Sequence, residues 1–370
     1  STKILRALKF FVIAGEASGD MHGANLIQAI SKIESSSQFE GFGGKKLEEA
    51  GMKVLRPIEK LHYMGFVEVV KNYPTIQEGF NVCKRAIKEN PPDALILIDY
   101  PAFNLRIANW AKKRGIKVLF YISPQVWAWK EGRVKKMKKF IDRLMVILPF
   151  EKDFFANHGM DVDFVGHPLI DEIEKRQERA KAKKENFIAL LPGSRKQEIL
   201  HNLHQMVRVQ EEFPDYQFVI GKAPGFDVSF YREKFALGNA IVSSEGTYNL
   251  LARSKAALVG SGTATLETAL LKVPQVVCYK GNKLSVAIAR KLINVPYISL
   301  VNLILDRPAV KELIQDELNP KSIVSELNNV LQEGEPRTRI LKDYDELWNK
   351  LGSGGASERA AKLIVSDLTN

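Results

Sequence analysis

Cysteine is nearly absent from this chain: Cys83 and Cys278 are the only two in 370 residues, far apart and in no ligand-like spacing. That scarcity excludes a disulfide framework and a cysteine-built zinc site, and it fits a reduced compartment. Long apolar runs are missing as well. No stretch of about 20 apolar residues is there to span a bilayer. The run Phe10–Ala14, behind Lys3, Arg6 and Lys9, is too short for a signal-peptide core, and Glu16 and Asp20 follow it closely. The expectation is a cytosolic protein whose membrane contact, if any, is peripheral. Zinc-finger spacings, an aromatic ribonucleoprotein motif and a recognition helix are also lacking, so nucleic acid is not the expected partner. The formal charge of +11 then points to anionic lipid or phosphorylated substrates. Part of it is local, since 130–143 carries seven basic residues against two acidic ones.

What is there is an apolar fraction of 45% with 26% charged residues, normal for a globular protein and long enough for two domains. The chain alternates short apolar runs, turns and helix-period segments. Strands are expected at Lys9–Ala14, Ala94–Ile98, Val118–Ile122, Leu144–Leu148 and Val162–Val165. A second series follows at Phe187–Leu191, Gln217–Ile220, Ala240–Val242, Ala256–Val259 and Gln275–Cys278. Apolar runs without polar alternation suggest parallel sheets covered on both faces. The fold class is therefore α/β, with a first domain at 1–170, a charged linker at 171–186 and a second domain at 187–340. Carboxyl-terminal helices at 341–370 either cross back to the first domain or exchange between subunits of a homodimer. Two such halves would place a cleft at the carboxyl ends of both sheets.

Four turns carry residues suited to chemistry. After the strand ending at Val259, the segment Gly260-Ser261-Gly262-Thr263-Ala264-Thr265-Leu266-Glu267 opens a helix, where small residues let backbone N–H groups approach a phosphate. Glu267, one turn in, could accept hydrogen bonds from ribose hydroxyls; an ordinary Thr-capped helix fits the same residues. Pro192-Gly193-Ser194-Arg195 puts a guanidinium at a helix start, against the helix dipole, which makes sense if it grips a diphosphate. A solvated surface Arg is the plainer reading. In the first half, Asp99 ends an apolar strand and faces the ligand side of a parallel sheet as a candidate general base, or caps a turn. Glu16, in the loop after the first strand, is a second candidate. Asp161 and Asp163 alternate along a strand and read as an exposed face. His201 with His204 lacks a third metal ligand, and His22 and His167 read as ordinary imidazoles. Met64–Val70, flanked by Lys60, His62 and Lys71, fits either a core helix or an apolar face entering a lipid interface. Trp127 and Trp129, beside Lys130, invite the same two readings.

Taken in order, these segments resemble the lipid-A-disaccharide synthase family of Gram-negative bacteria. The matching stretches are Ala14–Asp20, Met64–Val69, Ile98-Asp99-Tyr100-Pro101-Ala102-Phe103-Asn104, Tyr121–Trp129, Leu190–Arg195, Ser261–Glu267 and Ser299–Leu303, covering nearly the whole chain up to about Leu318. Ala17 and Ala102 depart from residues seen in relatives, Thr and an acid respectively. The resemblance implies a glycosyltransferase B-type fold, with two Rossmann-like doubly wound domains facing a central cleft. It also implies an inverting transfer from UDP-2,3-diacylglucosamine to 2,3-diacylglucosamine 1-phosphate, with release of UDP and without metal or cofactor. On that reading Asp99 is the base for the acceptor 6-hydroxyl, Glu16 its rival, and Arg195 the diphosphate partner. Gly193, Ser194, Ser261, Gly262, Thr263, Ala264, Glu267 and Asn302 fall on the donor side, and Ser18, Asp20, Asn104 and Gln125 on the acceptor side. Met64, Phe66, Val67 and Val70 form the patch that meets the anionic inner-membrane surface. The rivals are a UDP-N-acetylglucosamine 2-epimerase or another lipid-linked glycosyltransferase of the same fold and, from a different class, a non-catalytic nucleotide- or nucleic-acid-binding protein.

Overall fold

The computed structural model describes residues 6–58, 73–125, 132–177, 182–260, 262–283, 286–287 and 295–370. They divide into two units: the first is Ser1–Pro168 with Ser353–Asn370, the second Leu169–Gly352.

The first unit is a seven-stranded parallel sheet: β1 (Lys9–Ala14), β2 (Gln38–Gly43), β3 (Lys53–Pro57), β4 (Ala94–Ile98), β5 (Lys117–Tyr121), β6 (Arg143–Val146) and β7 (Asp163–Phe164). Its spatial order is β3-β2-β1-β4-β5-β6-β7. The central strands are buried on both faces, which is why Phe-Phe-Val-Ile-Ala in β1 and Ala-Leu-Ile-Leu-Ile in β4 show no polar alternation. The second unit repeats the plan with β8 (Phe187–Leu191), β9 (Gln217–Gly221), β10 (Ile241–Ser243), β11 (Ser254–Val259), β12 (Gln275–Tyr279) and β13 (Lys311–Ile314), in the order β10-β9-β8-β11-β12-β13. Each sheet reverses its winding direction once, between β1 and β4 and between β8 and β11. At such a reversal neighbouring loops diverge to opposite faces and leave a crevice at the carboxyl ends of the strands. The register aligns Ala14 with Ile98 and Leu191 with Val259. The turn after β1 therefore lies beside Asp99, and the turn after β8 beside Gly260.

The expected strands recur with end shifts of at most two residues. Three strands were not expected: β2, whose Gln-Phe-Glu-Gly-Phe-Gly mixes polar residues and glycine; β3, an edge strand ending in a proline; and the four-residue β13. The charged stretch read as the linker 171–186 begins inside a helix, Pro168–Gln177. Leu169, Ile170 and Ile173 are fully buried, so this helix is anchored in the fold rather than solvated all round. The helix Glu335–Lys350 belongs to the second unit, where the Tyr344 hydroxyl donates to the Val273 carbonyl at 2.9 Å. After Gly352–Gly355 the last helix, Ala356–Thr369, joins the first unit and packs along the helix Ala17–Ile33. There Arg143 grips Asp367 through two hydrogen bonds of 2.5 and 2.8 Å, and Arg359 donates to the Val165 carbonyl at 2.8 Å. No described helix is long and apolar enough to cross a membrane.

Candidate active-site residues at two sheet reversals

In the first unit the reversal is closely packed. Asp99 and Tyr100 both sit in the left-handed region, with φ of 45° and 50°. Non-glycine residues pay roughly 1–2 kcal/mol each for that conformation and hold it only where surrounding contacts enforce it. Here Asn104 enforces it. Its side-chain amide donates to the Asp99 carbonyl at 2.7 Å and lies within 3.3 and 3.4 Å of the Ile98 and Ile13 carbonyls, tying the ends of β1 and β4 together. Below the turn, Tyr100 stacks on Phe103 and Phe103 on Phe80, with ring centroids 5.8 and 4.2 Å apart. Gly15 lies against the Tyr100 ring so closely that a Cβ there would come within 2.4 Å of it. The outcome is a half-buried Asp99 presented at the carboxyl end of β4. Glu16 occupies the N-cap position of the helix Ala17–Ile33 without a side-chain capping bond, Ser18 falls in that helix's first turn, and Gln125 is exposed beyond β5.

Two residues expected on the acceptor side are hydrogen-bonded within the fold. Asp20 is buried, and its carboxylate accepts from the backbone N–H groups of Gly44, Lys46 and Leu47 at 2.8–3.1 Å, capping the helix Lys45–Glu49. Asn104 is fully buried beneath the Asp99 turn. His22 and His167 are buried too. Burial, with the charge of His22 second, pushes the His167 imidazole down to about 3, so it is neutral at physiological pH. Asp163 pairs with Arg143 at 2.5 Å. Among the described residues no group of three His, Cys, Asp or Glu side chains could hold a metal ion.

The reversal in the second unit is turned by glycines, of which Gly193 and Gly260 pack closely against Glu198 and Pro192 while Gly262 is unobstructed. Gly193 has φ 142° and Gly262 φ 104°, and a Cβ on Gly262 would meet nothing within 4 Å. Arg195 is exposed at the amino-terminal cap of the helix Lys196–Val207, and Gly262 caps the helix Thr263–Leu270. Thr263 is exposed and Ala264 half-buried in that helix's first turn, whose N–H groups point outward as in anion sites. Ser194 N–H donates to the Glu198 carboxylate at 3.3 Å. Beneath these turns Asn202, fully buried, donates to the Pro192 carbonyl at 2.8 Å and accepts from Lys280 N–H at 2.7 Å, locking the ends of β8 and β12. Burial raises the Tyr279 phenol above its ordinary value; the Glu198 charge adds to this and that of Arg195 opposes it, which puts all three near one another.

Asn302, assigned to the donor, is buried with its amide committed inside the fold. It donates to the Val310 carbonyl at 2.9 Å and to Glu312 at 3.1 Å, and accepts from Val310 N–H at 2.9 Å. Glu267 is half-buried, and burial pushes its carboxyl up to about 7 against the lowering charge of Arg176. Arg176 lies over the Tyr248 ring at 4.2 Å. Neither residue stood out in the sequence, nor did Asn202, because a buried amide or a stacked guanidinium leaves no motif. Ser261, Met64, Phe66, Val67, Val70, Trp127 and Trp129 lie outside the described residues.

A family model described as lipid-A-disaccharide synthetase matches residues 10–365. A lipid-A-disaccharide synthase of Trichlorobacter lovleyi is 38% identical over 98% of this chain and 98% of its own length. One of Syntrophus aciditrophicus is 39% identical over 96% of each. Among solved structures, the glycotransferase of kitacinnamycin aligns with a TM-score of 0.67 at 14% identity, covering 98% of this chain and 99% of that one. The Methanocaldococcus jannaschii UDP-GlcNAc 2-epimerase in complex with UDP-GlcNAc and UDP aligns at 0.65 and 14% identity, covering 97% of this chain and 100% of that one. The two parallel sheets thus share the fold class of glycosyltransferase B-type enzymes and UDP-GlcNAc 2-epimerases.

Proposed function

The chain belongs to the lipid-A-disaccharide synthetase family, and from that premise we propose that it transfers 2,3-diacylglucosamine from UDP-2,3-diacylglucosamine to 2,3-diacylglucosamine 1-phosphate. The products are the disaccharide 1-phosphate and UDP, and the anomeric centre inverts. Displacement at that carbon needs a base for the attacking hydroxyl and a cationic, donor-rich cradle for the leaving diphosphate. One reversal supplies each. Asp99 takes the proton of the acceptor 6-hydroxyl. Arg195, with the backbone N–H groups of Gly262–Ala264, neutralises the charge that grows on the diphosphate, and Glu267 accepts from the ribose hydroxyls. Glu16, at the helix start beside Asp99, orients the acceptor.

The observation that carries this reading is the strained Asp99 turn, held by Asn104 and seated on Gly15. Strain of that kind is held only where the surroundings over-determine it, and it clusters at active sites. A 2-epimerase shares the fold at 14% identity, whereas the synthases are related at 38–39%. Acylated substrates sit in a bilayer, and the charge of +11 suits peripheral association with an anionic inner-membrane surface. Purified protein given both acylated substrates should form the disaccharide 1-phosphate and UDP, detected by mass spectrometry. Conversion of UDP-GlcNAc to its 2-epimer, with no disaccharide formed, would overturn the proposal.

A further inference from the structure

The sheet of the second unit has two ends, and the proposed reaction uses only the carboxyl ends of its strands. At the amino ends of β8, β11 and β12 lies a cavity of about 230 Å³. Lys184, Lys255, Lys272 and Arg337 line it, together with Tyr216 and Glu333. The five residues of β8, about 17 Å of strand, separate it from the turn at Pro192.

We propose that this cavity is a second anion site, remote from Arg195, that takes a phosphate group. Two of its cations are fixed by the backbone. Lys184 Nζ donates to the Leu251 and Ser254 carbonyls at 3.2 and 2.7 Å, at the carboxyl end of the helix Thr247–Arg253. Arg337 Nη1 donates to the Val330 carbonyl at 2.6 Å, in the last turn of the helix Pro320–Leu331, and lies 3.4 Å from the Lys255 carbonyl. A helix carboxyl end carries only about half a negative charge, so each full positive charge is offset in part.

Side-chain carboxylates do not make up the difference. Among the described residues Lys184, Lys255 and Arg337 form no ion pair. Lys255 donates instead to the neutral Asn186 amide oxygen at 2.7 Å. Lys272 is 3.9 Å from Asp345, with both side chains exposed. Against four cations the lining sets the exposed Glu333. Glu185 nearby is held by Arg253, and Glu335, at the start of the Arg337 helix, does not line the cavity. Lys184 is exposed as a whole, yet burial of its amine, with the Arg337 charge second, holds that amine down to about 8. The volume is below the roughly 300–1,000 Å³ of pockets for drug-sized ligands, which suits a small anion. Fixed donors around unneutralised charge are what a phosphate needs.

The test reads Lys184 itself. The full chain is acetylated at pH 8 with a water-soluble active ester, and peptide mass spectrometry follows each lysine as inorganic pyrophosphate is added. An anion beside Lys184 favours its protonated form, so its labelling should slow several-fold, equally in wild type and in R195A. R337M should raise the half-saturating concentration roughly 10- to 100-fold, as for loss of a charged hydrogen-bond donor. K272M, which gives up only the surface contact with Asp345, should raise it less and leave the fold intact. Protection by pyrophosphate assigns the site to a dissolved phosphate; protection only by phosphatidylcholine vesicles containing phosphatidate assigns it to a lipid headgroup. Protection by neither overturns the site. So does a half-saturation unchanged in both variants, or equal slowing at lysines across the surface, which would mean an adventitious ion only.

Discussion

The two sheets share one winding order, yet their reversals are built in opposite ways. In the first unit the crossing is filled: Gly15 lies under Tyr100, three aromatic rings stack beneath, and two left-handed residues are held by one buried amide. In the second the turn at Gly262 is unobstructed, with Arg195 and Thr263 exposed, while Gly193 packs on Glu198. A filled crossing aims one side chain; an unobstructed turn admits a charged group to backbone N–H. On the proposed function, the same topology supplies a proton acceptor in one unit and an anion cradle in the other.

That contrast can be broken one side at a time. The largest effect is expected from Asp99→Asn, which keeps the turn but removes the base: turnover should fall by ~10²–10⁴-fold while UDP binds as before. Gly15→Ala comes next, because its Cβ would displace the Tyr100 ring and the acid with it. A misplacement near 1 Å costs about 100-fold, so kcat should drop by that order without loss of UDP affinity. Arg195→Ala should act on the other side, weakening UDP about 10- to 100-fold, as expected for removal of a charged hydrogen-bond donor.

Asp367→Asn lies away from both crossings and should leave UDP affinity unchanged. Its hydrogen bonds with Arg143 hold the Asp367 carboxyl below its ordinary value. The stabilisation is therefore present above the ordinary carboxylate range and is lost as pH falls through the lowered value. Denaturant unfolding at pH 7 should show the variant less stable by about 2 kcal/mol, and the gap should close in acid.

Much of this plan was legible in the sequence, for physical reasons. Strands buried on both faces are unbroken apolar runs, so β1, β4, β8 and β11 and the turns that end them stand out, and those four turns hold the candidate chemistry. The edge strand β3 and its neighbour β2 carry Glu40, Arg56 and Pro57 among their apolar residues, so neither stood out. Residue type could not tell whether a polar side chain meets ligand or backbone. Asp20, Asn104 and Asn302 satisfy backbone groups, while Asn202, which does the same beneath the Pro192 turn, went unnoticed. Arg176 was hidden in a charged run whose anchoring residues, Leu169 and Ile170, precede it.

The division of labour itself is most directly tested by hydrogen–deuterium exchange of the full chain with and without UDP. Protection should appear at 192–199 and 262–267, with exchange at 15–20 and 99–104 unchanged. Protection confined to the first unit's crossing would contradict the assignment of the anion cradle to the second.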